Sequence, residues 1–187
     1  SSSSVYGDTF NKKVKEEKRK NPLHFYGYSK SIGEEMVKTY CRINNLNYYN
    51  LRFFNVYGNK SNAVVARFIA QYLQKKPITI YGTGNQSRDF IHIDDLIKII
   101  QIIINRNIKS DVFNVGSSSN TKIKEIKNLI SKRCKFVTLP KRFDDIEKSI
   151  SDISKIKKIL KWKPNIEFKD GLKKMILEDQ KRLLKLN

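Results

Sequence analysis

Runs of β-formers alternate with helical patterns along nearly all of these 187 residues, and that alternation limits the fold more than any other feature. A strand that hands over to a helix and then to another strand closes most readily as a crossover between parallel strands, so the chain is expected to be α/β with parallel pairing. The first helical pattern runs from about Tyr28 to Asn44, where Ile32, Met36, Tyr40 and Ile43 make one apolar face and Asn44-Asn45 ends it. Tyr48 to Tyr57 is rich in β-formers without a helical stripe, a buried strand closing at Gly58-Asn59. Residues 63–74 read as a helix stopped by Pro77, and Ile78 to Tyr81 as a strand entering Gly82-Thr83-Gly84. Phe90 to Ile93 is another strand, after which Asp94 or Asp95 stands where it would cap a helix reaching Asn105. Asp111 to Val115 and Lys135 to Leu139 complete the strands. Further helices start at Thr121, at Ser151-Asp152 and at Gly171, the last with Leu172, Met175, Ile176 and Leu183 as its buried stripe. At the beginning, Val5-Tyr6-Gly7 reads as a strand end followed by a turn.

Near the first helix, Tyr26 precedes Lys30 by four residues. That is just over one helical turn, so the phenol and the ammonium share a face and can meet around one reacting group. A cation beside a phenol favours the phenolate, which makes Tyr26 a candidate general base. The same spacing also describes an ordinary solvated helix start.

Charge raises a different possibility. The chain carries 38 basic against 18 acidic residues, a net +20, which brings nucleic acid or an anionic membrane into view as partners. Only nine of the 38 are arginines, and the lysines are spread along the chain rather than concentrated, so neither a nucleic-acid nor a membrane partner is expected. The one dense run, residues 11–20, contains Glu16 and Glu17 and reads as a solvated surface loop. Cys41 and Cys134 lie far apart, and His24 and His92 have no ligand spacing to them, so no metal site is expected. Two lone cysteines without a signal peptide fit a reducing, cytoplasmic setting. The most apolar run, Ile91 to Ile104, is interrupted by charged and polar residues and is too short to span a bilayer.

Seven segments together resemble a known family. They are S-S-S-S-V-Y-G-D (1–8), Y-G-Y-S-K (26–30), L-R-F-F-N-V-Y-G (51–58), I-T-I-Y-G-T-G-N-Q-S-R-D-F-I-H-I-D-D-L (78–96), D-V-F-N-V-G (111–116), R-F-D-D-I (142–146) and D-I-S-K-I-K-K-I-L-K-W-K-P (152–164). In this order they are similar to the C-terminal portion of an extended short-chain dehydrogenase/reductase, and more narrowly to the nucleotide-sugar 4-epimerases of the NAD-dependent epimerase/dehydratase family. The resemblance implies the C-terminal part of a Rossmann-type parallel sheet plus a small α/β substrate-binding lobe. Residues 1–58 and 90–116 would belong to the NAD-binding domain, and 59–89 and 117–187 to the lobe. It further implies NAD as cofactor, a nucleotide-sugar substrate and a homodimer when full length.

The resemblance also implies roles for residues. Tyr26 would be the catalytic base, and Lys30 would lower its pKa and hold the nicotinamide ribose. Ser2 would hydrogen-bond the substrate hydroxyl and the tyrosine, orienting removal of the C4 hydroxyl proton as the C4 hydride leaves. Phe54 would touch the cofactor. Asn55, Arg88 and Arg142 would grip the diphosphate, a task suited to the bidentate guanidinium. Asp145 would face the nucleotide ribose, Tyr81 would line the uridine pocket, and Ser149 would leave room for a C2 N-acetyl group. Dehydratases of the family carry an acid pair after the active Ser/Thr, whereas Ser3 and Ser4 stand here, which points to simple epimerisation.

Two departures from the family pattern stand out. The loop after Gly58 is short, and Ala66 replaces the proline of an I-P-[KR]-F-like run. The G-x-x-G-x-x-G fingerprint that seats a dinucleotide pyrophosphate on a helix N-terminus is absent from these residues. The 187 residues are therefore expected to be a truncated second half, inactive by itself. UDP-glucuronate epimerisation or decarboxylation is the alternative activity, and a non-catalytic nucleotide-sugar-binding subunit the alternative class.

Overall fold

The computed structural model describes residues 1–10, 12–58, 63–106, 108–143 and 145–184, excluding the side chains of residues 183 and 184. A 3-10 turn (Ser3–Tyr6) precedes α1 (Phe25–Ile43), β1 (Tyr49–Phe53), β2 (Asn55–Tyr57), α2 (Val64–Leu73) and β3 (Ile78–Tyr81). Then come β4 (Ser87–Arg88), β5 (Phe90–His92), α3 (Ile93–Asn105), β6 (Asp111–Val115), β7 (Thr121–Lys122) and α4 (Ile123–Ile130). The chain closes with β8 (Phe136–Leu139), β9 (Lys148–Ser149), α5 (Ser154–Leu160) and α6 (Phe168–Leu184).

The expected single strand over 48–57 is two strands with different partners. β1 pairs in parallel with β6, Tyr49 opposite Asp111 through Phe53 opposite Val115. Phe54 leaves the ladder, and β2 pairs in parallel with β5 instead. An uninterrupted run of β-formers carries no mark of such a change of partner. β3 pairs in parallel with β8, and β4 lies between β9, parallel, and β7, antiparallel. The α/β class with parallel pairing is thus as expected.

Two apolar clusters flank this arrangement. On the β1–β6 side, Ile91, Ile99, Ile103, Phe113 and Val115 pack with Ile153, Ile156, Leu160 and Trp162, so α3 and α5 cover the strands. On the other side Tyr57, Phe68, Ile69, Ile78, Ile126, Leu172 and Met175 bring α2, α4 and α6 around β3. Within the second cluster Tyr57 meets Phe90 and Phe168 edge to face, at centroid distances of 6.3 and 5.0 Å, while Phe90 and Phe168 stack at 4.9 Å.

Local details differ from expectation in four places. α1 begins at Phe25, three residues early, because His24 Nδ1 accepts a hydrogen bond from Gly27 N at 3.1 Å. α3 is capped the same way by His92, whose Nδ1 accepts from Asp94 N at 3.1 Å, rather than by Asp94 or Asp95. Both histidines therefore do the work usually left to Asp or Ser at an N-cap. Residues 3–6 form a turn of 3-10 helix instead of a strand end, with only Ser2 bridging to Phe53, and Gly7 exits it at φ +68°.

The fourth is the lysine-rich run, expected as a solvated loop. It is a strap pinned at two residues. Val14 is buried, donates to Ile150 O and accepts from Asp152 N, both at 2.9 Å. Glu16 accepts from Asn114 N through its side chain at 2.8 Å, and burial pushes its carboxyl above the usual range. Lys12, Lys13 and Lys15 are exposed around these pins, whereas Lys20 is half-buried and reaches Glu34 and Glu35 on α1. The short loop predicted after Gly58 (59–62) and the side chain of Leu183 lie outside the described residues. No helix among the described residues is long and apolar enough to cross a membrane.

Candidate functional site

A cavity of about 360 Å³ opens between β2, α2, β3 and the residues Arg142 and Asp145. Its walls bring together five residues singled out in the sequence: Asn55, Tyr81, Arg88, Arg142 and Asp145. Each is held by the fold. Asn55 begins β2, where its Nδ2 donates to Asp89 O at 3.1 Å. Arg88 lies in β4, and its Nη2 donates to Asp145 Oδ1 at 2.5 Å. Burial pulls the Arg88 guanidinium below its ordinary range, with Asp145 opposing the shift. The second Asp145 oxygen accepts from Gln86 Nε2 at 3.2 Å, and the same amide donates to Tyr81 O at 2.7 Å. Arg142 stacks on the Tyr81 ring with 4.1 Å between the guanidinium carbon and the centroid. Its hydrogen bond pulls the Tyr81 phenol below the usual range.

Two wall residues, Arg67 and Gln86, were not foreseen. Arg67 approaches the Tyr81 ring at 5.6 Å on α2, and its buried Nε has no hydrogen-bond partner. Three guanidiniums and a phenol thus converge on one concave space, which suits a phosphorylated ligand with a planar ring. Arg67 occupies the [KR] position of the degenerate run around Ala66, the one sequence signal that could have found it.

Ser149 and Phe54 stand apart from these walls. Ser149 is buried in β9 opposite Arg88, where its carbonyl accepts from Asp89 N at 2.9 Å. Phe54 is 3% exposed and packs with Val5, Tyr6 and Val14.

The second assembly lies at the N-terminal end of α1. Lys30 Nζ sits 5.3 Å from the centroid of the Tyr26 ring, and Tyr26 is 54% exposed. Among the described residues neither the Tyr26 hydroxyl nor the Lys30 ammonium has a protein hydrogen-bond partner, so both are available to a hydroxylated ligand. Ser2 lies on the neighbouring segment. A Cβ on Gly27 would meet Ser4 O at 2.7 Å and Pro22 Cβ at 2.9 Å, so the lack of a side chain there lets α1 dock on the turn that follows Ser2. The Ser2 hydroxyl donates to Ser4 Oγ at 3.1 Å and accepts from Ser4 N at 3.2 Å; it makes no bond to Tyr26. A phenol, an ammonium and a hydroxyl on adjoining segments are the parts needed to exchange a proton with a substrate alcohol. They fit the nicotinamide-ribose end of a dinucleotide. The eight glycines include no set spaced to cradle its pyrophosphate.

Residues 1–116 match the NAD dependent epimerase/dehydratase family. Among curated proteins, the Bacillus subtilis uncharacterized UDP-glucose epimerase YtcB is 34% identical over 179 residues, covering 92% of this chain and 56% of its own length. Among solved structures, UDP-N-acetylglucosamine 4-epimerase from Methanobrevibacter ruminantium, in complex with UDP-N-acetylmuramic acid, is 30% identical. It superimposes with a TM-score of 0.88 over 97% of this chain and 62% of that one. UDP-glucuronic acid 4-epimerase from Bacillus cereus, in complex with UDP-glucuronic acid and NAD, is also 30% identical, with a TM-score of 0.91 over 97% and 60%. The chain spans about 60% of the length of the first curated relatives it matches.

Proposed function

The chain belongs to the NAD dependent epimerase/dehydratase family, and from that premise we propose that its full-length protein inverts C4 of a UDP-hexose or UDP-N-acetylhexosamine through a 4-keto intermediate. The observation that carries the reading is the cavity joining Asn55, Tyr81, Arg88, Arg142 and Asp145 in a chain that also presents Tyr26, Lys30 and Ser2 on adjoining segments. The likeness to proteins named as UDP-sugar 4-epimerases supports it.

Tyr26 and Lys30 would hold the nicotinamide-ribose end of NAD, which would supply the hydride-transfer chemistry. The chain's own residues do the remaining work. Arg88 and Arg142 hold the diphosphate, and Asp145 keeps Arg88 aimed into the cavity while offering an acceptor toward the ribose. Asn55 adds an amide at the diphosphate, and Tyr81 flanks the base. Tyr26 takes the C4 hydroxyl proton and gives it back after the keto sugar has turned. Lys30 stabilises the phenolate that starts this cycle, and Ser2 orients the reacting hydroxyl by releasing Ser4. Residues 1–58 and 90–116 form the cofactor side; 59–89 and 117–187 form the nucleotide-sugar side, with α5 and Trp162 closing the sheet across that line. Ser149, a small residue beside Arg88 in the adjacent strand but outside the cavity walls, would leave the C2 side of the site open to an N-acetyl group. Phe54 supports the cofactor side from within its core.

A homodimer of the complete protein belongs to this reading, checked by its mass in solution; so does a cytoplasmic location, supported by two free thiols. The 187 residues by themselves are proposed to hold NAD weakly and to turn nothing over, since their glycines form no pyrophosphate cradle. Calorimetric titration of this polypeptide tests that, micromolar NAD binding being the result against it.

The activity is tested by incubating the full-length protein with NAD and UDP-glucose, UDP-N-acetylglucosamine or UDP-glucuronate. C4-epimer formation from either of the first two is expected. Conversion of UDP-glucuronate alone, with or without loss of carbon dioxide, would favour the second reading suggested by the Bacillus cereus relative. No conversion of any of the three would leave a nucleotide-sugar-binding subunit.

A further inference from the structure

The helix that carries Tyr26 and Lys30 has a thin hold on the rest of the chain. Its buried residues are Gly27, Glu34 and Cys41, spaced seven apart, so they form one narrow rail along α1. Ile32, Met36, Tyr40 and Ile43, its apolar face, are 59–70% exposed. Gly27 supplies a close contact and Cys41 a small side chain. Only Glu34 supplies directional bonds, and it lies on the same face as Tyr26 and Lys30, one turn beyond the lysine.

Both oxygens of Glu34 are occupied. Arg52, from β1, donates through Nε to Oε1 and through Nη2 to Oε2, each at 2.8 Å, a two-point fork. Ser1 Oγ donates to Oε1 at 2.6 Å, from the residue next to Ser2, and Lys20 Nζ reaches Oε2 at 3.4 Å. The remaining Arg52 nitrogen donates to Tyr6 OH at 2.7 Å and to Glu16 O at 2.9 Å, and Tyr6 OH donates to Asn114 Oδ1 at 2.7 Å. Glu34 and Arg52 are both nearly inaccessible to solvent. Burial alone would raise the Glu34 carboxyl, yet the Arg52 and Ser1 bonds hold it below the usual range. One carboxylate thus connects the three pieces on which the reacting groups ride: α1, the segment of Ser2, and the sheet.

We infer that Glu34 and Arg52 form a positioning clamp that fixes the axial register of α1, and with it the height of Tyr26 and Lys30 relative to Ser2. The inference rests on the proposed C4 epimerisation and adds to it residues that never touch substrate. A salt bridge placed here sets geometry where apolar packing is too sparse to do so. Buried ion pairs are weak stabilisers in general but strongly directional ones. A shift of the helix by a fraction of its 1.5 Å rise per residue changes the reach of the phenol toward the substrate hydroxyl, and misplacement on the ångström scale costs about a hundredfold in rate.

The test uses charge-conserving variants of the full-length protein, Glu34→Asp and Arg52→Lys, each checked by circular dichroism and assayed well below its melting temperature. The expected result is a kcat about ten to a hundredfold lower with KM for the nucleotide sugar within about twofold. The double variant is no worse than either single one, as two halves of one fork require. Cys41→Ala, which loosens the same rail without touching the fork, lowers the melting temperature and leaves kcat in place. If Glu34→Asp does not fold, the gentler Arg52→Lys decides. An active wild type whose Arg52→Lys variant loses only thermal stability, with kcat unmoved, overturns the clamp alone. A wild type that converts no nucleotide sugar overturns the epimerase reading, and the clamp falls with it.

Discussion

The two sides of the candidate site are built on opposite principles. The cavity side rests on a thick apolar core, where Val65, Phe68, Ile69, Ile78, Ile126, Leu172 and Met175 are almost wholly buried. Its polar groups are linked to one another, Arg88 to Asp145 to Gln86 to Tyr81. The Tyr26 side has a helix held along one rail, a phenol and an ammonium without hydrogen-bond partners among the described residues, and an apolar face turned outward. The lesson is a division of labour. Under the proposed function, recognition of a phosphorylated ligand would rest on packing, whereas the proton-transfer geometry would depend on a few directional bonds.

Breaking the reactive side should be felt in rate. Tyr26→Phe in the full-length protein is expected to lower kcat by about 10²–10⁴, the usual contribution of a positioned acid–base group, with substrate affinity little changed. Steady-state kinetics with direct measurement of UDP-sugar binding separates the two effects. On the cavity side the largest effect should be on stability. Phe68→Ala empties a fully buried site and is expected to cost about 3–5 kcal/mol, read by denaturant unfolding of this polypeptide.

Next in size is recognition. Arg88→Gln removes a charge-assisted donor of the order of 1.5–3 kcal/mol, so UDP affinity by calorimetry should fall about ten to a hundredfold. A smaller effect comes from acid. Burial lowers the pKa of His92 from its usual 6.5, with Asp94 opposing and Lys174 reinforcing the shift. The unfolded chain then binds more protons below that pH, so this contribution is full above pH 6.5 and declines as pH falls through it. Protonation also removes the acceptor that caps α3, worth about 1 kcal/mol. His92→Asn should flatten the pH dependence of stability between about 7 and 5. The smallest effect sharpens the contrast most. Met36→Ser on the exposed face of α1 should change the stability of this polypeptide by less than about 0.5 kcal/mol.

The sequence made some of this legible and concealed the rest for physical reasons. Helix and strand periods are local, so the α/β alternation and most elements could be read directly. Partner choice is not local, which is why the run through Phe54 looked like one strand. Asp94-Asp95 resembles a cap on propensity grounds, but the neighbouring imidazole reached the amide first. The apolar face of α1 was visible as a pattern; its exposure depends on what lies opposite. Five cavity residues were read through the resemblance, since arginines on a strand and in a loop have no common period. Arg52 and Glu34 escaped notice because a lone charge in a β-run or on a helix looks like surface until both ends of the pair are known.

The strap over residues 12–20 has a consequence for proteolysis. It carries Lys12, Lys13, Lys15, Lys18, Arg19 and Lys20, six trypsin targets, around two pinned residues. A protease needs several consecutive residues in an open, extended form, so cleavage within the strap waits for Val14 and Glu16 to let go. Release of Glu16 also withdraws partners from Arg52 and Asn114. The rate at which trypsin nicks this run under native conditions therefore times the opening of the polar network beneath α1, with no substrate or cofactor required.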